Sequence, residues 1–264
     1  MRLAITAHLD YRLHAPADCL LAIEVAPMAD QVLVWDRLCV TGVGPLSPVA
    51  ALEGIGRRTW MHGQTQLTAD YHAVVDIGRA PVVLEGLDAD PLAALPGDVV
   101  PYLFPSRYCD SDRFEVAVLR EFGHLAGGDK VRAIAAWIRS HLDYAPGISS
   151  STTRASDTFV AHHGVCRDFA HLLIAMVRAA DIPARMVGAY GVGVTPQDFH
   201  AVAEVWLAGA WHLVDATGMA PTEGLVRLGV GRDATDVAFL TVFGRADFLA
   251  QHVTVTRLEP DTPA

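Results

Sequence analysis

Between Phe199 and Asp215 the chain carries its most restrictive pattern, a strict alternation followed by a small-residue link and a second short apolar run. Side chains in a strand alternate between two faces, so Phe199, Ala201, Ala203, Val205 and Leu207 share one face and His200, Val202, Glu204 and Trp206 the other. His200 is thereby expected to point away from the core side. The link Ala208-Gly209-Ala210 reads as a hairpin into Trp211–Asp215. If Ala208 and Gly209 form a two-residue turn, Trp206 opposes Trp211 and Val202 opposes Asp215. Asp215 then lies on the His200 face and diagonal to it, at roughly 7–8 Å between Cα atoms, within reach of an imidazole N–H. A slip of one residue would separate the two.

Upstream, Val165, Phe169, Leu172, Leu173, Met176 and Ala180 recur at helical spacing, and Ile182-Pro183 ends the run. The spacing predicts a helix opening at Gly164 or Val165, with Cys166 in its first turn. Unpaired backbone N–H groups and the positive end of the helix dipole favour thiolate over thiol there. A buried cysteine is otherwise a small apolar side chain. The combination with His200 and Asp215 is what makes this one a candidate nucleophile. Cys166 would attack a carbonyl, His200 would hold or move the proton, and Asp215 would fix the imidazole tautomer.

The rest of the chain frames this constellation. From residue 1 to about 100, short alternating runs such as Leu20–Val25, Gln31–Trp35 and Tyr71–Ile77 are broken by Pro and Gly clusters, so this part reads as β-rich. Pro96–Pro105 reads as a connection. A helix with Asp129 as N-cap is expected over Val131, Ile134, Ala135, Ile138 and Leu142, and strands are expected again after Pro183. The expected division is a β-rich region, 1–105, followed by an α+β domain, 106–264.

Composition excludes several function classes. With 20 basic against 30 acidic residues and no Lys/Arg run, nucleic acid is not an expected partner. No apolar stretch is long enough to span a membrane, and His8, Asp10 and Arg12 interrupt any signal-peptide core, so a cytoplasmic protein is expected. The four cysteines, Cys19, Cys39, Cys109 and Cys166, are scattered in a manner that suits reduced thiols.

Gly164-Val-Cys166-Arg-Asp-Phe-Ala-His171, Ile182-Pro-Ala-Arg185, His200-Ala and Trp211-His-Leu-Val-Asp215-Ala-Thr217, in that order, resemble the core of bacterial transglutaminase-like proteins. Phe104-Pro-Ser-Arg-Tyr108 and the β-rich region resemble what precedes that core in the same group. The resemblance implies a papain-like α+β fold and a Cys166, His200, Asp215 triad acting through a thioester on a peptide or protein amide substrate, without a cofactor. Hydrolysis, as a cysteine peptidase or amidase, is the expected outcome. The alternatives are glutamine transamidation by the same triad, or a non-catalytic scaffold that keeps the fold. In the family, Gln often stands where Arg167 does, an aromatic where Val202 does, and Pro where Ala216 does, so these positions bear on substrate preference.

The remaining candidates have plainer readings. His162 and His163 lack further ligands at zinc spacing and read as a polar turn, so no metal is expected. His171 and Asp168 read as structural, Asp168 favouring the helix N-terminus. Glu204 reads as solvated or salt-bridged, Gly231–Asp236 as a turn, and Cys109 as a rival thiol with neither a helix start nor a paired histidine. The backbone N–H of Cys166 is expected to supply one donor to a developing oxyanion.

Overall fold

The computed structural model describes residues 1–259. The chain opens with β1 (Arg2–Leu13), β2 (Ala17–Leu21), β3 (Gln31–Val43), β4 (Ser47–Ala50) and β5 (Arg57–Ile77). β5 is the spine of this sheet and pairs antiparallel with β1, β2, β3 and β4. Its alternation explains why: Leu67, Ala69, Tyr71, Ala73, Val75 and Ile77 are buried on one face, opposite the buried Leu3, Ile5, Ala7 and Leu9 of β1.

Next come α1 (Glu115–Phe122), α2 (Gly127–His141), β6 (Asp143–Tyr144), α3 (Ala155–Ala161), β7 (His163–Gly164) and α4 (Cys166–Arg178). α2 starts at Gly127, two residues before the expected Asp129 cap. The Gly128 N–H bonds the Leu87 carbonyl at 2.8 Å, and a Cβ at Gly128 would stand 1.7 Å from the Leu84 carbonyl oxygen. A distant segment therefore pins the start of this helix. α4 is buried along almost its whole length, between α2 and α3 on one side and the second sheet on the other. Each large aliphatic side chain so buried contributes about 1.5–3 kcal/mol relative to exposure. At its far end the buried Arg178 donates to the carbonyls of Ala184, Phe104 and Arg232 at 2.9, 3.0 and 2.7 Å.

The second sheet contains β8 (Ala184–Gly191), β9 (His200–Leu207), β10 (Ala210–Val214) and β11 (Leu225–Gly231), in the order β10-β9-β8-β11. Then follow the short α5 (Ala234–Val237), β12 (Leu240–Val242) and β13 (Ala246–Leu258). β12 pairs with β2 and β13 with β1, so the end of the chain returns to the first sheet. The division expected at residue 105 thus follows the chain only as far as Phe239. β13 covers what would otherwise be the open edge of β1, with Val253 and Val255 turned into the core.

The two sheets share a core in which Tyr190, Phe199, Val226 and Leu228 pack with Leu3, Ile5, Leu21 and Ile23. Beside it runs a buried ionic chain. Glu204 bonds Arg185 and Arg227 at 2.7 Å each, Arg227 reaches Asp30, and Arg185 reaches Glu53. Glu204 is therefore salt-bridged, and it lies wholly inside the protein.

Candidate active site

Cys166 is the first residue of α4, following the extended Val165, and its thiol is half-buried. The buried Asp168 carboxylate holds this start in place: Oδ2 accepts the Val165 N–H at 2.9 Å and Oδ1 accepts the Ser149 hydroxyl at 2.9 Å. Gly164 is required here because a Cβ would lie 2.7 Å from the Asp168 Cβ. The two-residue bridge of β6 to β7 sets Tyr144 beside Gly164.

The β9–β10 hairpin has the expected register, with Trp206 opposite Trp211 and Ala203 opposite Val214. Ala208 and Gly209 both have positive φ, 49° and 75°, as a type I′ turn requires. His200 begins β9 and Asp215 directly follows β10, and His200 Nε2 lies 3.0 Å from Asp215 Oδ2. Asp215 also accepts the Thr217 N–H and hydroxyl at 2.9 and 2.7 Å and the Ala220 N–H at 2.9 Å. Burial alone would raise its pKa, but the His200 bond, its charge and these donors hold it below the ordinary carboxylate value.

The His200 ring is fully buried, which corrects the expectation that its face of the strand points away from the core. Both faces of β9 are covered, one by α4 and the other by Val187, Ala189 and Leu213. Burial by itself would depress the imidazole pKa. The Asp215 bond and the Cys166 thiol outweigh it and bring the value up to about 9. Nδ1 is buried and makes no hydrogen bond, so it is the nitrogen available to the thiol side. The thiol itself points to the Phe199 carbonyl at 4.0 Å. The structure therefore brings Cys166, His200 and Asp215 together.

Tyr144 was not legible as a site residue. Burial, then the adjacent Cys166 thiol, push its phenol above the ordinary value, while the Cys166 backbone N–H opposes them. Its side chain therefore lies close to Cys166. The signal that places it is the β6–β7 bridge, two residues long and without a periodicity of its own.

The other candidates occupy structural positions. Burial pushes the Cys109 thiol up to about 12 and raises the Cys19 thiol, and Cys39 is exposed on β3. His171 stacks on Tyr108 and its Nε2 accepts the Ala234 N–H at 3.1 Å, with burial lowering its pKa to about 3. His162 ends α3 at positive φ and its ring bonds the His141 carbonyl at 3.1 Å. In the Gly231–Asp236 turn, Asp233 caps α5 and Ala234 borders a cavity of ≈ 430 Å³ that opens at Cys166. Among the described residues, no group of three or more His, Cys, Asp or Glu side chains could hold a metal ion, and no helix is long and apolar enough to cross a membrane.

Residues 117–216 match the model of the transglutaminase-like superfamily. A crystal structure of a candidate cysteine protease from Cytophaga hutchinsonii superposes with a TM-score of 0.91 at 34% identity, covering 100% of this chain and 92% of that one. An uncharacterized protein of Mycobacterium leprae is 39% identical over 116 residues, 41% of this chain and 42% of the relative. An uncharacterized protein of Mycobacterium tuberculosis is 29% identical over 126 residues, 40% of this chain and 39% of the relative. The matched stretches thus span less than half the length of these curated relatives.

Proposed function

The chain belongs to the transglutaminase-like superfamily, whose fold is that of a cysteine-dependent enzyme family, and from this premise we propose that it is a cysteine hydrolase acting on peptide or amide bonds through a thioester on Cys166. The observation that carries the reading is the 3.0 Å contact of His200 with Asp215, with the other ring nitrogen unbonded among the described residues and the Cys166 thiol acting on the same imidazole. Asp215 holds the ring so that Nδ1 faces the sulfur, and the raised imidazole pKa favours the protonated partner that a thiolate needs.

In the first half-reaction the Cys166 sulfur attacks the amide carbonyl, the C–N bond breaks, and the leaving amine takes the proton held by His200. In the second, His200 removes a proton from water, the resulting hydroxide adds to the thioester carbonyl, the C–S bond breaks, and the acid leaves with the thiolate and protonated imidazole restored. The oxygen that becomes negative in both steps is met by the Cys166 N–H. Such donors act on charge that develops only in the transition state.

Water rather than an amine is the acceptor in this reading. Trp206 and Trp211, the residues best suited to wall an amine passage, are spent on each other and on Tyr102 and Arg185. An amine competes with water only where the protein binds it or excludes water.

The test is intact mass spectrometry after exposure to peptide and amide donors, with and without a primary amine. An acyl adduct on Cys166 that decays to free acid, and that is absent from Cys166→Ala, is expected. Predominant incorporation of low-millimolar amine would turn the assignment to transamidation, and no adduct from any donor would favour a scaffold that merely keeps the fold. Asp215→Asn is expected to lower turnover by about 10²–10⁴-fold, because the ring loses the partner that sets its tautomer.

A further inference from the structure

The cavity of ≈ 430 Å³ beside Cys166 lies between the two sheets, and residues from both line it. Leu9 and Tyr11 come from β1 of the first sheet, Met186 and Ala201 from β8 and β9, Phe239 from the connection that carries the chain back to the first sheet, and Leu240 from β12. Ligand cavities fall at about 300–1,000 Å³ and are mostly apolar with a few placed polar groups, a description this one fits.

Among the described lining residues only Arg167 is charged, and its charge is already met. One terminal nitrogen bonds the Ser149 hydroxyl and the Ser150 carbonyl at 2.5 Å each and stands 3.4 Å from Asp168. Its Nε has no partner among the described residues and is closed off from the cavity by its burial. Because Asp168 already balances the guanidinium, the wall offers no free charge to a side group in the cavity.

We propose that this cavity is the pocket for the acyl side of the substrate: it takes an uncharged branched or aromatic side group next to the scissile carbonyl. The proposal rests on the thioester reading above. It also gives the β-rich region a function, since Leu9 and Tyr11 set the depth of the pocket. A charged side group would have to leave water for a wall that offers it no counter-ion, whereas an apolar one gains its transfer free energy.

The experiment measures the rate of Cys166 acylation by N-acetyl amino-acid p-nitrophenyl esters carrying Gly, Leu, Phe, Trp, Glu or Lys, followed by intact mass on the full chain. Activated esters separate pocket preference from amide-bond cleavage. Leu and Phe are expected to exceed Gly, Glu and Lys by about 10–100-fold, the range that a hydrophobic pocket supplies. Ala238→Phe, which enlarges a residue lining the cavity, should cut the Phe-to-Gly ratio about tenfold, and Tyr11→Ala should move the preference towards Trp. The two variants alter different walls, so loss of folding in one leaves the other decisive. Acylation of Cys166 at equal rates by all six esters would overturn the pocket and leave the nucleophile standing. Failure of every ester to acylate Cys166 would overturn the thioester reading and the pocket together.

Discussion

Trp206 and Trp211 face each other across the β9–β10 hairpin with ring centroids 5.3 Å apart and planes at 75°. Edge-to-face geometry suits the aromatic quadrupole and locks the register from the turn end of the hairpin. Because side chains repeat every two residues, that lock also places His200 and Asp215 on one face at the other end. Trp211 stacks in turn on Arg185, 4.1 Å from the ring centroid to the guanidinium carbon, and Arg185 holds Glu204. The register therefore extends into the ionic chain between the two sheets.

The pH dependence of stability follows from His200. Its folded pKa, about 9, lies above the ordinary 6.5, so the folded protein holds this proton more tightly than the unfolded one. The stabilisation is fully present below pH 6.5 and is lost as pH rises through about 9. Urea midpoints measured between pH 6 and pH 10 should fall across that window. Asp215→Asn should flatten the fall, and an equal slope in wild type and variant would contradict the link to this pair.

Cys166 should be the first thiol to react with limiting iodoacetamide at neutral pH. Cys109 is buried with its pKa pushed up to about 12, Cys19 is buried and also raised, and Cys39 is exposed within β3, away from any helix start. Peptide mapping decides the matter, and preferential labelling of Cys39 would remove the basis for singling out Cys166.

Tyr144→Phe removes one hydroxyl near Cys166 and keeps the ring. If that hydroxyl meets the oxyanion, kcat should drop about 10²–10³-fold. Iodoacetamide labelling of Cys166, which forms no oxyanion, should proceed at close to the wild-type rate. Equal losses in both measurements would make Tyr144 a packing residue for the thiol.

Glu204→Gln should cost about 3–5 kcal/mol of stability, since Arg185 and Arg227 would be left buried against a neutral amide. Denaturant unfolding gives the number directly. A change below about 1 kcal/mol would mean that Asp30 and Glu53 compensate both arginines on their own.

The sequence by itself determined the parts governed by short-range periodicity. The 3.6-residue stripe from Val165 to Ala180 and the strict alternation from Phe199 to Leu207 specify a helix and a strand. The tight turn at Ala208-Gly209 then determines the register, and with it the His200–Asp215 pairing. Only the tertiary structure decided what depends on distant segments meeting. The start of α2 is set by Leu84 and Leu87, the return of β13 to β1 by an edge that needs a partner, and the approach of Tyr144 to Cys166 by a two-residue bridge. Burial of His200 and Glu204 was equally hidden, because a polar residue on an alternating strand reads as solvent-facing unless its partners are known. Those partners, Asp215 for the imidazole and Arg185 and Arg227 for the carboxylate, lie 15, 19 and 23 residues away, and each provides the hydrogen bonds without which burial would cost several kcal/mol.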